Sequence, residues 1–309
     1  MNLAAFGPTP LYLLEEDDRG NRIYIKREDL LPYSFGGNKA RIGAEYLADM
    51  RAQGANHMVA YGNARSNLCR VLANLCVDEA ITIIRPADDD GQRREAFNGK
   101  LCESFGANIV PCLKTNVAQT VDRVLENIRA HGETPYYIYG DRTGQGNRAV
   151  PVRAYAKAWQ EIERQQQEMG VRFDKIVLAL GTGMTQAGLL CGMQQSAHQP
   201  QVIGISIARD EQSAKTHIHS YIRAHLGHDL PEKMVHVCDR FRSGYGVYDG
   251  EIELVIRSMM MRYGIPLDGT YTAKAFYGLS ALRQEEKWEN QNVLFLHTGG
   301  TPLFFDSQR

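Results

Sequence analysis

Three short segments carry side chains that could act together on one small molecule. In Ser34-Phe35-Gly36-Gly37-Asn38-Lys39 an amine stands behind two glycines, at what reads as the opening of a helix. A lysine amine adds to an aldehyde only when neutral, and burial favours the neutral form. The glycines leave room for a flat ring beside it. Gly181-Thr182-Gly183-Met184-Thr185-Gln186-Ala187-Gly188 follows an apolar run. Its backbone N–H groups, with the dipole of the helix behind them, would hold a phosphate dianion, and Thr182 and Thr185 could add hydroxyl donors. Tyr61-Gly62-Asn63-Ala64-Arg65-Ser66-Asn67 closes another apolar run. There Asn67 could donate to an oxygen on a ring, and Ser66 with the nearby N–H groups could take a carboxylate. A Schiff-base lysine, a phosphate cradle and a ring clamp are the parts of a pyridoxal phosphate site.

Each part alone has an ordinary reading. Lys39 could be a solvated surface charge, and Ser66 a simple N-cap, a role compatible with carboxylate binding. The glycine loop could be a plain strand-to-helix turn or a dinucleotide fingerprint. The fingerprint would need its third glycine at Gln186, and Gly188 comes too late; Asp210 beyond the next strand could mimic the ribose-binding acid. Ser243-Gly244-Tyr245-Gly246 and Gly269-Thr270-Tyr271-Thr272-Ala273-Lys274 place tyrosines in glycine loops, where they could stack on a ring, move protons or merely pack. His217, His219, His225 and His228 lack the spacing of a helical metal motif, so no metal is expected. Asp88-Asp89-Asp90 reads as a charged loop and Met259-Met260-Met261 as helix core.

The elements that must position these groups alternate between short β-rich runs and amphipathic stretches, which predicts an α/β fold with largely parallel sheets. Strands are expected over 23–26, 57–61, 81–85, 108–111, 136–139, 175–180, 202–207 and 291–296. Helices are expected over 39–53, 66–77, 93–105, 117–130 and 152–169. Tyr61, Leu180 and Leu296 all lead into candidate loops at strand C-terminal ends, where open α/β sheets bind ligands. The turn-rich stretch Gly140 to Asn147 reads as an interdomain crossing. With 309 residues, 43% of them hydrophobic, there is material for two domains. Lys+Arg 35 against Asp+Glu 36 leaves a net charge of -1, which gives no reason to expect a nucleic-acid partner. No run approaches a membrane span and no basic-plus-apolar leader opens the chain. Six cysteines without a CxxC pair suggest free thiols in a reducing compartment, so a soluble cytoplasmic protein is expected.

Together these segments resemble the tryptophan-synthase-β-like (fold type II) pyridoxal phosphate enzymes, and within them the D-cysteine desulfhydrase and 1-aminocyclopropane-1-carboxylate deaminase family. The resemblance runs nearly end to end: Thr9-Pro10-Leu11, Lys26-Arg27-Glu28-Asp29-Leu30, the Gly36–Lys39 box, Ser66-Asn67, Gly181–Gly188, Tyr245-Gly246, Leu267-Asp268 through Ala275, and His297-Thr298-Gly299-Gly300-Thr301-Pro302. It implies two open, twisted, mostly parallel sheets flanked by helices. A large domain would hold 1–44 and 152–309, a small one 45–151, and the protein would be a homodimer acting on a small amino acid. It implies that Lys39 carries the cofactor and moves the α-proton, that Asn67 binds the ring oxygen, and that Gly181, Thr182, Gly183, Met184 and Thr185 hold the phosphate. Tyr245 and Tyr271 would face the substrate, and Thr298 the pyridine nitrogen.

This chain departs from the family pattern in four places, one of them the Gly140–Asn147 loop, which carries Arg142 with Arg148 just after it. Thr272 stands where the deaminase branch has glutamate, which argues for β-elimination over cyclopropane ring opening. Leu68 replaces the usual histidine, and Arg65 the usual glutamine. A fixed cation beside the carboxylate site could mean a substrate with a second anionic group. The expected reaction is α,β-elimination to a 2-oxo acid and ammonia. Its rivals are β-replacement by a second nucleophile, a deaminase-like activity, and a cofactor- or amino-acid-binding protein on an enzyme scaffold.

Overall fold

The computed structural model describes residues 7–87, 96–141, 143–144, 146–241, 244 and 246–306. The expectations for Tyr245, Ser243, Arg142 and Asp88-Asp89-Asp90 lie outside the described residues.

Two sheets organise the chain. The larger takes β1 (Leu11–Glu16), β2 (Arg22–Arg27), β7 (Lys175–Leu180), β8 (Gln201–Ser206), β9 (His236–Cys238) and β10 (Asn292–His297), in the order β1-β2-β10-β7-β8-β9. Only β1 runs antiparallel to its neighbour. The central strands are apolar without alternation, with Ile176 through Leu180 and Val293 through Leu296 all buried. Strands covered by helices on both faces read this way. The smaller sheet is wholly parallel, in the order β5-β4-β3-β6, from β3 (His57–Tyr61), β4 (Ala80–Pro86), β5 (Asn108–Cys112) and β6 (Pro135–Tyr137). All four of its strands fall between residues 57 and 137.

The helices are α1 (Asn38–Ala52), α2 (Asn67–Leu75), α3 (Phe97–Ser104), α4 (Val117–Ala130), α5 (Ala149–Met169), α6 (Met184–Gly192), α7 (Glu211–Leu226), α8 (Gly250–Tyr263), α9 (Thr272–Glu285) and α10 (Thr301–Asp306). Helix α1 buries Ala40, Ile42, Gly43, Tyr46, Leu47 and Met50, one apolar stripe. Missing side chains set two helix contacts. A Cβ on Gly43 would lie 2.9 Å from Leu75 Cδ1, so α2 crosses α1 closely there. A Cβ on Gly188 would lie 2.5 Å from that of Tyr155, which fixes the approach of α6 to α5.

Several boundaries differ from the sequence expectation for identifiable reasons. Helix α5 begins three residues early because Pro151 sits in its first turn, where a missing N–H costs nothing. The strand expected over 136–139 ends at Tyr137, before the left-handed turn at Gly140. The edge strands β1 and β9 are only partly buried and carry no continuous apolar signal. Met259 is core as expected, but Met260 and Met261 are exposed, because three consecutive positions span too wide an arc of α8 to share one face. Among the described residues, no helix is long and apolar enough to cross a membrane.

Candidate active site

A cavity of about 420 Å³ lies where the C-terminal ends of β3, β7, β8 and β10 converge. Lys39, Ser66, Asn67, Gly181, Thr182, Gly183, Met184, Thr185, Tyr271 and Thr298 all line it, although they are scattered from one end of the sequence to the other. Arg65 is not in that wall. Its guanidinium rests instead against the backbone of Gly246.

Lys39 is the second residue of α1. It is half-buried in the cavity wall, and desolvation alone lowers its pKa to about 8. Among the described residues no carboxylate pairs with it. The loop in front of it is unusual. Tyr33, Ser34, Phe35, Gly36 and Gly37 all have positive φ, a run that three side-chain-bearing residues adopt only when neighbours impose it. The neighbours are identifiable: Gly37 N donates to Glu28 O at 2.8 Å, Asn38 N to Thr298 O at 2.9 Å, and Arg70 Nη2 to Gly36 O at 3.2 Å. Gly37 also lies directly on Gly299, where an added Cβ would come within 2.4 Å of the Gly37 Cα.

Behind this loop stands an ionic quartet in which Lys26 and Glu28 are fully buried and Arg41 and Glu161 partly so. Arg41 forks onto Glu28 (2.6 and 3.0 Å) and also reaches Glu161, which in turn pairs with Lys26 at 2.5 Å. Tyr155 and Thr9 donate their hydroxyls to Glu28, both at 2.7 Å. Burial alone would raise the Glu28 carboxyl, but contact with Arg41 and Lys26 outweighs it and holds the group below its ordinary value. Arg70 is the opposite case. It is fully buried, its Nε and Nη1 have no partner, and burial lowers its pKa to about 10.

The phosphate end is backbone. Gly183, left-handed at φ 93, precedes α6 and offers no capping side chain, so the first N–H groups of the helix remain open toward the cavity. Asn38 Nδ2 donates to Thr185 Oγ1 at 2.8 Å, which leaves the threonine proton to donate elsewhere. Arg209 donates to Gly181 O and braces the loop from the side. Asp210 caps α7 by accepting from Ser213 N at 2.7 Å, so it is not presented as a ribose-binding acid.

On the opposite side, Ser66 is the N-cap of α2 and accepts from Cys69 N at 3.2 Å. Gly62 is required beneath it, since a Cβ there would lie 2.7 Å from Ser66 Oγ. Asn67 Oδ1 accepts from Asn98 Nδ2 at 2.9 Å. Tyr271 N donates to Asp268 Oδ1 at 2.8 Å, and the Thr272 hydroxyl is committed to the same buried carboxylate at 2.9 Å. The open N–H groups, the glycine crossing and the neutralisable amine fit pyridoxal phosphate: an anion cradle, room for a ring and a nucleophile for its aldehyde.

Sequence reasoning missed Asn98, Arg70, Arg209 and Lys114, the last two of which also line the cavity. Arg209 had a usable signal, a cation just past the end of a parallel strand beside the glycine loop. Asn98 and Arg70 had none, because what they touch is distant in sequence.

The chain belongs to the pyridoxal-phosphate dependent enzyme family, whose sequence pattern matches residues 3–299. It is 32% identical to a D-cysteine desulfhydrase of Yersinia enterocolitica, over 96% of this chain and 92% of the relative. It is 30% identical to one of Klebsiella pneumoniae, over 96% and 93%. A solved ACC deaminase homologue superposes with a TM-score of 0.83 at 27% identity, covering 99% of this chain and 96% of that one. The architecture is that of the fold type II enzymes, and pyridoxal phosphate is the cofactor.

Proposed function

We propose that the chain catalyses α,β-elimination on a small amino acid in the manner of its D-cysteine desulfhydrase relatives. With D-cysteine, the substrate and one water would become pyruvate, ammonia and hydrogen sulfide. The observation that carries this is one cavity holding both a desolvated lysine amine without a carboxylate partner and an open helix N-terminus. When bound, the cofactor supplies an electron sink that lets the α-carbon of the amino acid joined to it lose a proton.

The chain's own residues do the rest. The open end of α6 with Thr185 would hold the phosphate, and the Lys39 amine would hold the aldehyde end and take up the α-proton. Ser66 and the N-terminus of α2 receive the substrate carboxylate, Asn67 donates to the ring oxygen, and Tyr271 stands over the substrate. Thr298, which lines the cavity, would offer the ring nitrogen a neutral hydroxyl rather than a carboxylate, a partner suited to early loss of a β leaving group. Thr272 offers no acid, its hydroxyl being bonded to Asp268. The stretch 45–151 acts as a smaller domain against the rest, and two copies form a dimer. Leu68 makes part of the wall apolar, which keeps β-replacement as a second reading. A new amino acid formed on adding thiols, in place of pyruvate, would establish it.

The test is the visible absorption spectrum of the protein with pyridoxal phosphate, wild type beside Lys39→Ala, before and after D- and L-cysteine. A band is expected in wild type, forming faster as pH rises through about 8, where the amine loses its proton. It should be absent in Lys39→Ala and altered by one cysteine enantiomer as pyruvate appears. A band indifferent to both enantiomers would reject cysteine as substrate; no band would reject the reading as a whole.

A further inference from the structure

Asn98 lies outside the cavity wall, yet it touches a residue that lines it. It is the second residue of α3 and is fully buried. Its Nδ2 donates to Arg65 O at 2.9 Å and to Asn67 Oδ1 at 2.9 Å. The first bond decides the second. A backbone carbonyl can only accept, so Arg65 O settles which end of the Asn98 amide is the NH2. That NH2 then faces the oxygen of Asn67, and the NH2 of Asn67 is left to point elsewhere.

An isolated asparagine amide offers its donor or its acceptor end with little preference, because the two are nearly the same shape. Opposite an electron-rich ring oxygen the two ends are not equivalent: one donates, the other sets acceptor against acceptor. Asn98 Oδ1 meanwhile is buried without a partner. An apolar side chain of similar size would avoid that cost, so simple packing does not account for an asparagine here.

We propose that Asn98 is a positioning residue that locks the Asn67 amide with its NH2 toward the ring oxygen of the bound cofactor. The inference rests on the pyridoxal phosphate reading of the cavity. It adds a relay of fixed direction, from a backbone carbonyl through Asn98 to Asn67 and then to the ring.

The test measures the dissociation constant of pyridoxal phosphate and the pH at which its visible band titrates. The variants are Asn98→Asp, Asn98→Ala and Asn98→Ser, each made in wild type and in Asn67→Ala. Aspartate can only accept, so Asn67 should turn its NH2 toward it. The dissociation constant should then rise about tenfold or more, and the titration should move to higher pH as the ring oxygen loses a donor. Alanine and serine bring no buried charge and should give smaller shifts in the same direction, so the test survives if the aspartate variant fails to fold. In Asn67→Ala the same Asn98 substitutions should change neither quantity further. Wild-type binding and titration in all three variants would overturn the proposal, as would equal losses with and without Asn67. If wild type forms no visible band, the cofactor reading falls and this falls with it; a wild-type band indifferent to Asn98 sinks this inference alone.

Discussion

The two walls of the cavity are made of different material. The wall on the six-stranded sheet presents main chain at the open turn of α6, at the glycine loop before it and where Gly37 meets Gly299, beside the side chains of Lys39, Thr185, Arg209, Tyr271 and Thr298. The wall on the four-stranded sheet is side chain, from Tyr61, Asn63, Ser66, Asn67 and Leu68. Main chain stays where the fold puts it, whereas side chains can be exchanged singly. The first wall is harmed by added atoms, the second by removed ones.

The sharpest way to break the main-chain wall is Gly299→Ala. At φ 97 its new Cβ would stand 2.4 Å from the Gly37 Cα, backbone against backbone. Strain and overlap together should cost about 3 kcal/mol or more in urea unfolding and abolish the visible band. A variant that binds cofactor normally would show that the crossing is slack.

Next is Glu28→Gln, which strikes the wall from behind. It leaves Arg41 short of a buried partner, and about 3 kcal/mol of stability should be lost. Glu28 and Glu161 are both held below their ordinary values, chiefly because contact with Arg41 overrides burial. Their contribution is therefore complete above the unfolded carboxylate range of about 4.3 and disappears as pH falls through the lower folded values. Urea unfolding followed from pH 6 downward should show that acid loss in wild type and a flatter one in Glu28→Gln.

A change in the side-chain wall should act on binding more than on folding. Asn67→Ala should weaken pyridoxal phosphate binding about tenfold while moving stability by less than about 1 kcal/mol. An equal loss in both measurements would erase the distinction between the walls.

The smallest effect is expected for Arg70→Met. Among the described residues no carboxylate faces Arg70, so removing its charge also removes an uncompensated burial, and unfolding free energy should stay within about 1 kcal/mol of wild type or rise. A loss as large as that of Glu28→Gln would mean that the single bond to Gly36 O carries the loop.

The parts of the site legible in the sequence were those whose chemistry is local. Lys39 behind its glycines, Ser66-Asn67 and the loop 181–188 each show their residue types and their place after a strand within a few positions. What could not be read is whatever depends on a side chain meeting one from another part of the chain. The box from Lys26 to Leu30 stood out without a role, and its role is to meet Arg41 and, far along the chain, Glu161. Asn98 gave no sign because its partner is 31 residues away. Arg65 shows the same limit: its place in the sequence gave no direction for its guanidinium, which packs against Gly246. Helices and sheets fix the direction of each side chain only after they pack.

Strand β10 is the last strand along the chain, yet it sits between β2 and β7 rather than at an edge. During synthesis the first half of that sheet must therefore wait, with a slot open, until residues 292–299 leave the ribosome and Thr298 and Gly299 can close on the Lys39 loop. In an unfolded chain the amine has the pKa of a free lysine, about 10.4, and is protonated at neutral pH. With the sheet whole, burial lowers the pKa of the amine to about 8 and raises the neutral fraction that can add to an aldehyde.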